Sequence, residues 1–126
     1  MDKIRIIIAD DHQLFRNGLK FLLNAFPDLE VVGEASNGEE FLRLLCTTKA
    51  DIALMDINMP VMDGIEATRK GLRLCPDIFI IALSMYGEED YYYKMVDAGV
   101  RGFLLKDSDI NEVNEAIHTV SRGGSY

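Results

Sequence analysis

Cysteine is scarce in this chain, and the two that occur, Cys46 and Cys75, form no C-x-x-C pair. That excludes a disulfide scaffold or dithiol redox motif and leaves reduced thiols on or under helices. Histidine is equally scarce. His12 and His118 have no metal-ligand spacing, so both are expected to be solvated or partly packed. No apolar run approaches the roughly 20 residues of a membrane-spanning helix. The start, Met1-Asp2-Lys3-Ile4-Arg5, lacks a signal-peptide layout, which makes the cytoplasm the expected location. Basic residues are in deficit: 13 Lys and Arg against 21 Asp and Glu, for a net charge of −8. A chain so charged lacks the basic footprint needed to grip nucleic acid itself. No repeat, low-complexity segment or internal linker is present. The 126 residues are 48% hydrophobic, which suits one domain with a real core and argues against disorder.

What the chain does contain is a set of short apolar runs, four of which end on a polar residue. Ile4–Ala9 leads to Asp10 and Asp11, Ile52–Met55 to Asp56, Ile78–Leu83 to Ser84, and Phe103–Leu105 to Lys106. Runs this short, separated by helix-length amphipathic segments, read as strands of a parallel sheet. Glu30–Ala35, with its Val-Val centre, is a fifth. Helices are expected over Gln13 to Phe26, closed by Pro27, and after Asn37 and Asp63, each opening what resembles a capping box. A fourth runs from near Glu88 to Gly99 and a fifth from Asp109 to the Gly123-Gly124 pair. Alternating strands and helices with short loops predict a doubly wound α/β domain with right-handed crossovers.

Parallel strands share one carboxyl edge, where open α/β sheets bind ligands. Three carboxylates, a hydroxyl and an amine should therefore meet there. Confined carboxylates repel, and without a partner they would be forced to protonate. A hard divalent cation removes the problem, and Mg²⁺ suits it because it takes one or two carboxylates, keeps waters and engages phosphoryl oxygens. Asp56 is the nucleophile candidate, since aspartyl-phosphate formation is a known covalent strategy. Lys106 would neutralise one phosphoryl oxygen and Ser84 would donate to another. Simpler roles exist for each residue alone. Asp10 and Asp11 could cap a helix, Ser84 could close a turn, and Lys106 could be a solvated charge. Asp56 is harder to dismiss, because Met59-Pro60 separates it from the next helix and leaves it nothing to cap.

Ala9-Asp10-Asp11-His12, Met55-Asp56-Ile57-Asn58-Met59-Pro60-Val61-Met62-Asp63-Gly64, Ser84 and Gly102-Phe103-Leu104-Leu105-Lys106 together resemble a response-regulator receiver domain over essentially the whole chain. The resemblance implies a flavodoxin/CheY-like fold: a five-stranded parallel sheet of order 2-1-3-4-5 with five helices. It implies that Asp56 accepts phosphate from a sensor histidine kinase. Mg²⁺ would be held by Asp11, Asp56 and the Asn58 backbone carbonyl, with Asp10 helping through water. Ser84 and Phe103 stand where the family's switch hydroxyl and aromatic stand. Such a domain is a signalling module, catalysing only its own phosphorylation and dephosphorylation.

The segments Asp10–Leu19, Val31–Ala35 and Gly99–Phe103 are similar to the NarL/FixJ-type subfamily, whose members usually carry a C-terminal helix-turn-helix domain that binds DNA. This implies a receiver over residues 1–122 and the start of a linker over 123–126, with the DNA-binding domain absent. A cut chain is expected, with a stand-alone receiver as the alternative. A phosphorylation-dependent homodimer would use the face of helix four, strand five and helix five, where Tyr91-Tyr92-Tyr93 lies. Two departures from the usual pattern matter. Asp107 follows Lys106 where many receivers have Pro, which favours a trans bond. Met85 follows Ser84 where many have a small residue, which narrows access to Asp56. The nearest rival is a haloacid-dehalogenase-like phosphatase, which expects its nucleophile on the first strand and a second Asp two positions on; here position twelve is His. A pseudo-receiver without chemistry and a flavodoxin-like FMN carrier fit the site less well.

Overall fold

The computed structural model describes residues 2–126. Five parallel strands, β1 (Ile4–Ala9), β2 (Leu29–Ala35), β3 (Ile52–Asp56), β4 (Phe79–Ser84) and β5 (Gly102–Leu105), pair in the order 2-1-3-4-5. The helices are α1 (Gln13–Asn24), α2 (Gly38–Thr47), α3 (Gly64–Leu74), α4 (Tyr92–Ala98) and α5 (Ile110–Ser121). Strand side chains alternate between two cores. Ile7, Ala53, Met55, Ile80 and Ala82 face Phe41 and Leu45 of α2, Ala67 of α3 and Met95 of α4. Ile6, Ile8, Leu54, Ile81 and Leu83 face Leu19 and Leu23 of α1 and Val113, Ile117 and Val120 of α5. A sheet covered on both faces needs such continuous apolar strands, which explains the short unbroken runs.

Several boundaries differ from those read in sequence, each for a local reason. Helix α1 stops at Asn24 rather than Phe26. Ala25 and Phe26 bond to Leu22 and Leu23 in a tightened last turn, as Pro27 disfavours the α region for the residue before it. At α2 the Asn37 side chain accepts the Glu40 amide as expected. The return arm goes elsewhere: Glu40 accepts from the Ser36 amide and hydroxyl at 2.7 and 2.8 Å. Asp63 accepts the Glu66 amide, but the Glu66 carboxylate pairs with Lys70. The fourth helical segment starts near Glu88, as expected, but its α-helical part begins only at Tyr92. A 3₁₀ turn over Glu89–Tyr91 precedes α4, because the Glu88 carboxylate accepts from the Met85 amide and the Asn58 side chain instead of capping. Gly99 ends α4 with φ 118°, the left-handed conformation expected of a C-terminal glycine.

The segment after β3 is tightly held. The Gly64 amide donates to Ile57 O at 2.8 Å, and a Cβ at Gly64 would lie 2.0 Å from the Asp56 carbonyl oxygen. Only glycine allows α3 to start this close to the end of β3. Between them, Val61 has φ 70° and the Met62 amide donates to Pro60 O, a γ-turn that costs a β-branched residue strain.

Candidate functional site

The strand order sets β1, β3, β4 and β5 side by side, so the residues at their ends converge. Asp10 is fully buried and Asp56 is 2% exposed. The Asp10 amide is anchored on Ala35 O of β2, and its Oδ1 accepts from the His12 amide at 2.8 Å. Lys106 reaches back from the end of β5, with Nζ 2.8 Å from Asp10 Oδ2 and 3.2 Å from Asp56 Oδ2. Its backbone amide is tied to Ser84 O. Its ammonium also sits 5.1 Å from the centre of the Phe15 ring, a cation–π contact from α1. Lys106 is thus a buried charge in an ion-paired triad rather than a solvated one.

Electrostatics strain this triad. Burial pushes the Asp56 carboxyl up to about 7, and the neighbouring Asp10 charge adds to the rise; Lys106 only partly offsets them. For Lys106, burial acts to lower the pKa. The bond to Asp10 and the Asp56 and Asp10 charges outweigh it and hold the ammonium above its ordinary range. Apart from Lys106, neither Asp10 Oδ2 nor Asp56 Oδ2 has a hydrogen-bond partner. One ammonium cannot satisfy this concentration of carboxylate. The carboxylates of Asp10, Asp11 and Asp56 each offer an atom to a single group whose members lie within 4.8 Å of one another. Oxygen donors, a surplus of negative charge and orphaned lone pairs are what a hard divalent cation requires, so the residues fit Mg²⁺.

Ser84 is 3% exposed, and its hydroxyl donates to Leu104 O at 3.4 Å, so it points along the sheet edge. Phe103 is half-buried and packs against Tyr92 with ring centres 5.1 Å apart. Ser84, Phe103, Met85, Tyr92 and Tyr93 line one surface pocket. Of the tyrosine run, Tyr91 is half-buried against the core, while Tyr92 and Tyr93 are exposed. Met85 is half exposed on the pocket rim. Asn58 is exposed and its side chain donates to Glu88, which joins the loop after β3 to the loop after β4. No cis peptide bond occurs among the described residues, so the Lys106–Asp107 bond is trans, as expected.

Sequence reasoning misses three participants. His12 lacks ligand spacing in sequence, yet its Nδ1 lies 3.1 Å from Asp10 Oδ1 and belongs to the same cluster. Its signal is adjacency to the acidic pair at the end of a strand. Phe15 reads as one more member of the α1 core stripe, but half-buried it contacts Lys106. Glu88 reads as a helix start. Nothing local in the sequence announces that it bridges two loops, since its partner is thirty residues away.

Comparison with known proteins agrees with this geometry. The family model for the response regulator receiver domain matches residues 6–118. The transcriptional regulatory protein DegU of Brevibacillus brevis is 42% identical over 99% of this chain and 53% of its own length. The transcriptional regulatory protein LiaR of Bacillus subtilis is 43% identical over 95% of this chain and 57% of its own. The chain therefore spans about half the length of these relatives. Among solved structures, a LuxR-family two-component response regulator from Aurantimonas superposes with a TM-score of 0.91, at 33% identity over 98% of this chain and 89% of that one. No helix among the described residues is long and apolar enough to cross a membrane. Its sheet order, its acidic edge and the likeness along nearly its whole length make this chain a member of the response regulator receiver domain family, of the NarL/LuxR/FixJ type that serves two-component signalling.

Proposed function

We propose that Asp56 is the phosphoacceptor of this receiver and takes a phosphoryl group from a phosphohistidine of a sensor histidine kinase. The observation that carries this is the Asp56 carboxylate held at the end of β3, buried, 3.2 Å from Lys106 Nζ and grouped with Asp10 and Asp11. Asp56 attacks phosphorus, the nitrogen–phosphorus bond breaks, and the donor imidazole leaves. Lys106 neutralises one phosphoryl oxygen, and Ser84 donates to another after releasing Leu104 O. Asp11, Asp56 and the Asn58 carbonyl would hold Mg²⁺, with Asp10 acting through water. The ion supplies charge neutralisation during in-line transfer. Membership of the receiver family disfavours the phosphatase and flavin-carrier alternatives, and the complete acid, hydroxyl and lysine set disfavours a pseudo-receiver.

We further infer that phosphorylation shifts the face of α4, β5 and α5. Ser84 moves toward the phosphoryl group, and Phe103 turns inward from its place against Tyr92. The receiver covers residues 1–122, and 123–126 begin a linker. Transcriptional regulators among the relatives support an effector domain that binds DNA, controlled through this face or through a phosphorylation-dependent homodimer. A stand-alone receiver acting by protein contact is the second reading, favoured by the exposed Tyr92 and Tyr93. Incubation with acetyl phosphate and Mg²⁺ tests the phosphoacceptor. Intact mass should rise by one phosphoryl group, and Asp56→Asn should abolish the increment. Equal labelling of the variant would move the site elsewhere.

A further inference from the structure

We propose that residues 123–126 form a latch, folded back over the start of β5 and the Glu112–Glu115 side of α5, which a second copy of this chain must displace to reach the face of α4, β5 and α5. The inference rests on reading that face as the dimer face, and it gives the first residues after the receiver a regulatory role.

Two glycines turn the chain back. Gly123 has φ 91°, the left-handed conformation that favours glycine. Its amide donates to Val120 O at 2.9 Å and the Gly124 amide to Thr119 O at 3.1 Å, which closes the end of α5. A Cβ on Gly124 would lie 3.0 Å from Thr119 O, so the reversal needs a glycine there as well. The chain then returns to the start of β5 instead of leaving the domain. The Tyr126 amide donates to Arg101 O at 3.0 Å. The Arg101 guanidinium donates to Gly123 O at 3.4 Å and rests 5.3 Å from the centre of the Phe79 ring. Arg101 thus holds the tail at both ends, once with its backbone and once with its side chain.

Tyr126 fills a place that the sheet leaves open. β5 is an edge strand, and an uncovered edge is a template for pairing with another chain. Gly102 carries no side chain, and Tyr126 Cβ lies 3.4 Å from where one would begin. Tyr126 is 40% exposed, against 89% for Tyr86. Burial, and then the charges of Glu112 and Glu115, hold its hydroxyl above the ordinary range, so the ring lies along the exposed side of α5. A partner seated on β5 and α5 would meet this ring first. Phe103 follows Gly102 directly, so a switch that turns Phe103 inward moves the strand on which the latch rests.

Sedimentation of the 126-residue chain with beryllofluoride and Mg²⁺, together with amide exchange at Tyr126, tests this. Without beryllofluoride the wild-type Tyr126 amide should be protected. Beryllofluoride should speed its exchange as the chain self-associates. Gly124→Val opens the turn and Tyr126→Ala removes the ring. Each should tighten the beryllofluoride-dependent dimer by about fivefold, the factor that one hydrogen bond contributes. Tyr126→Phe keeps the ring and should match wild type. Unprotected exchange at Tyr126 in wild type, or Gly124→Val and Tyr126→Ala chains that dimerise no more tightly than wild type, would overturn the latch while leaving the dimer face standing. Self-association in none of the chains would overturn the dimer face and this inference with it.

Discussion

Replacing Gly64 by alanine should damage the domain out of proportion to the single methyl group it adds. The new Cβ would lie 2.0 Å from the Asp56 carbonyl oxygen, about 1.3 Å inside the closest ordinary carbon–oxygen approach. The obstacle is backbone, so no side-chain rotation relieves it. Either β3 retreats from its pairing with β4, or α3 gives up the Gly64 amide bond to Ile57 O. Overpacking costs about 1–3 kcal/mol, and a backbone obstacle puts this case at the upper end. Better helix propensity returns up to about 1 kcal/mol, which leaves a net loss near 2 kcal/mol. For a domain of this size that lowers Tm by roughly 8 °C. Gly18 is the internal control. It lies in mid-helix, and a methyl group added there would meet nothing within 4 Å, so Gly18→Ala should stabilise by up to about 1 kcal/mol. Thermal unfolding followed by circular dichroism measures both. Because the Gly64 obstacle is the Asp56 backbone itself, labelling by acetyl phosphate should also slow in Gly64→Ala and not in Gly18→Ala. The reasoning is refuted if Gly64→Ala is as stable as wild type and labels at the wild-type rate.

Asp56→Asn should stabilise the metal-free domain. The folded carboxyl titrates at about 7, against an ordinary value of 3.8 in the unfolded chain, so the folded state keeps a proton the unfolded state has lost between those values. Stability therefore falls as pH rises through that window, and the cost is complete above it. The asparagine removes this cost while leaving Lys106 with one carboxylate fewer, for a net gain on the order of 2 kcal/mol at about pH 8 that disappears below about pH 4; denaturant titrations at both pH values decide it. Mg²⁺ should raise the Tm of wild type, since an ion bound only to the native state stabilises it, and Asp11→Ala should lose most of that rise; an undiminished rise would place the ion elsewhere. Beryllofluoride with Mg²⁺ should shift amide resonances across residues 84–105 and promote self-association at analytical ultracentrifugation. Changes confined to the loops around Asp56, with no change in mass, would contradict the proposed switch.

The layout of the fold was legible because each strand carries its own signal. Ile52–Met55 is fully buried on both sides, and such a strand has no choice but to be continuously apolar. The positions of Asp10, Asp56, Ser84 and Lys106 followed from one rule, that parallel strands end on the same edge. The details that escaped depend on partners distant in sequence. Phe15 reads as one more core residue of α1, and its contact with the Lys106 ammonium depends on the packing of α1 beside the end of β5. Glu88 opens a 3₁₀ turn rather than the α-helix itself, and its carboxylate is claimed by Asn58 and the Met85 amide. The spacing rule that discounts His12 suits ligands on one helix or ribbon. Here the donors are gathered from the ends of β1 and β3. The close approach at Gly64 reads in sequence only as part of a helix start.

The central claim is that Asp56 forms the acyl phosphate, and chemical trapping at that residue tests it most directly. The domain is phosphorylated with phosphoramidate, a phosphoryl–nitrogen donor, in the presence of Mg²⁺, then reduced with borohydride, digested and sequenced by mass spectrometry. Reduction converts an aspartyl phosphate to homoserine, so the account predicts homoserine at position 56 alone, dependent on Mg²⁺ and absent when Lys106 is replaced by alanine. Homoserine at position 10 or 11, or labelling at 56 that is indifferent to both Mg²⁺ and Lys106, would contradict it.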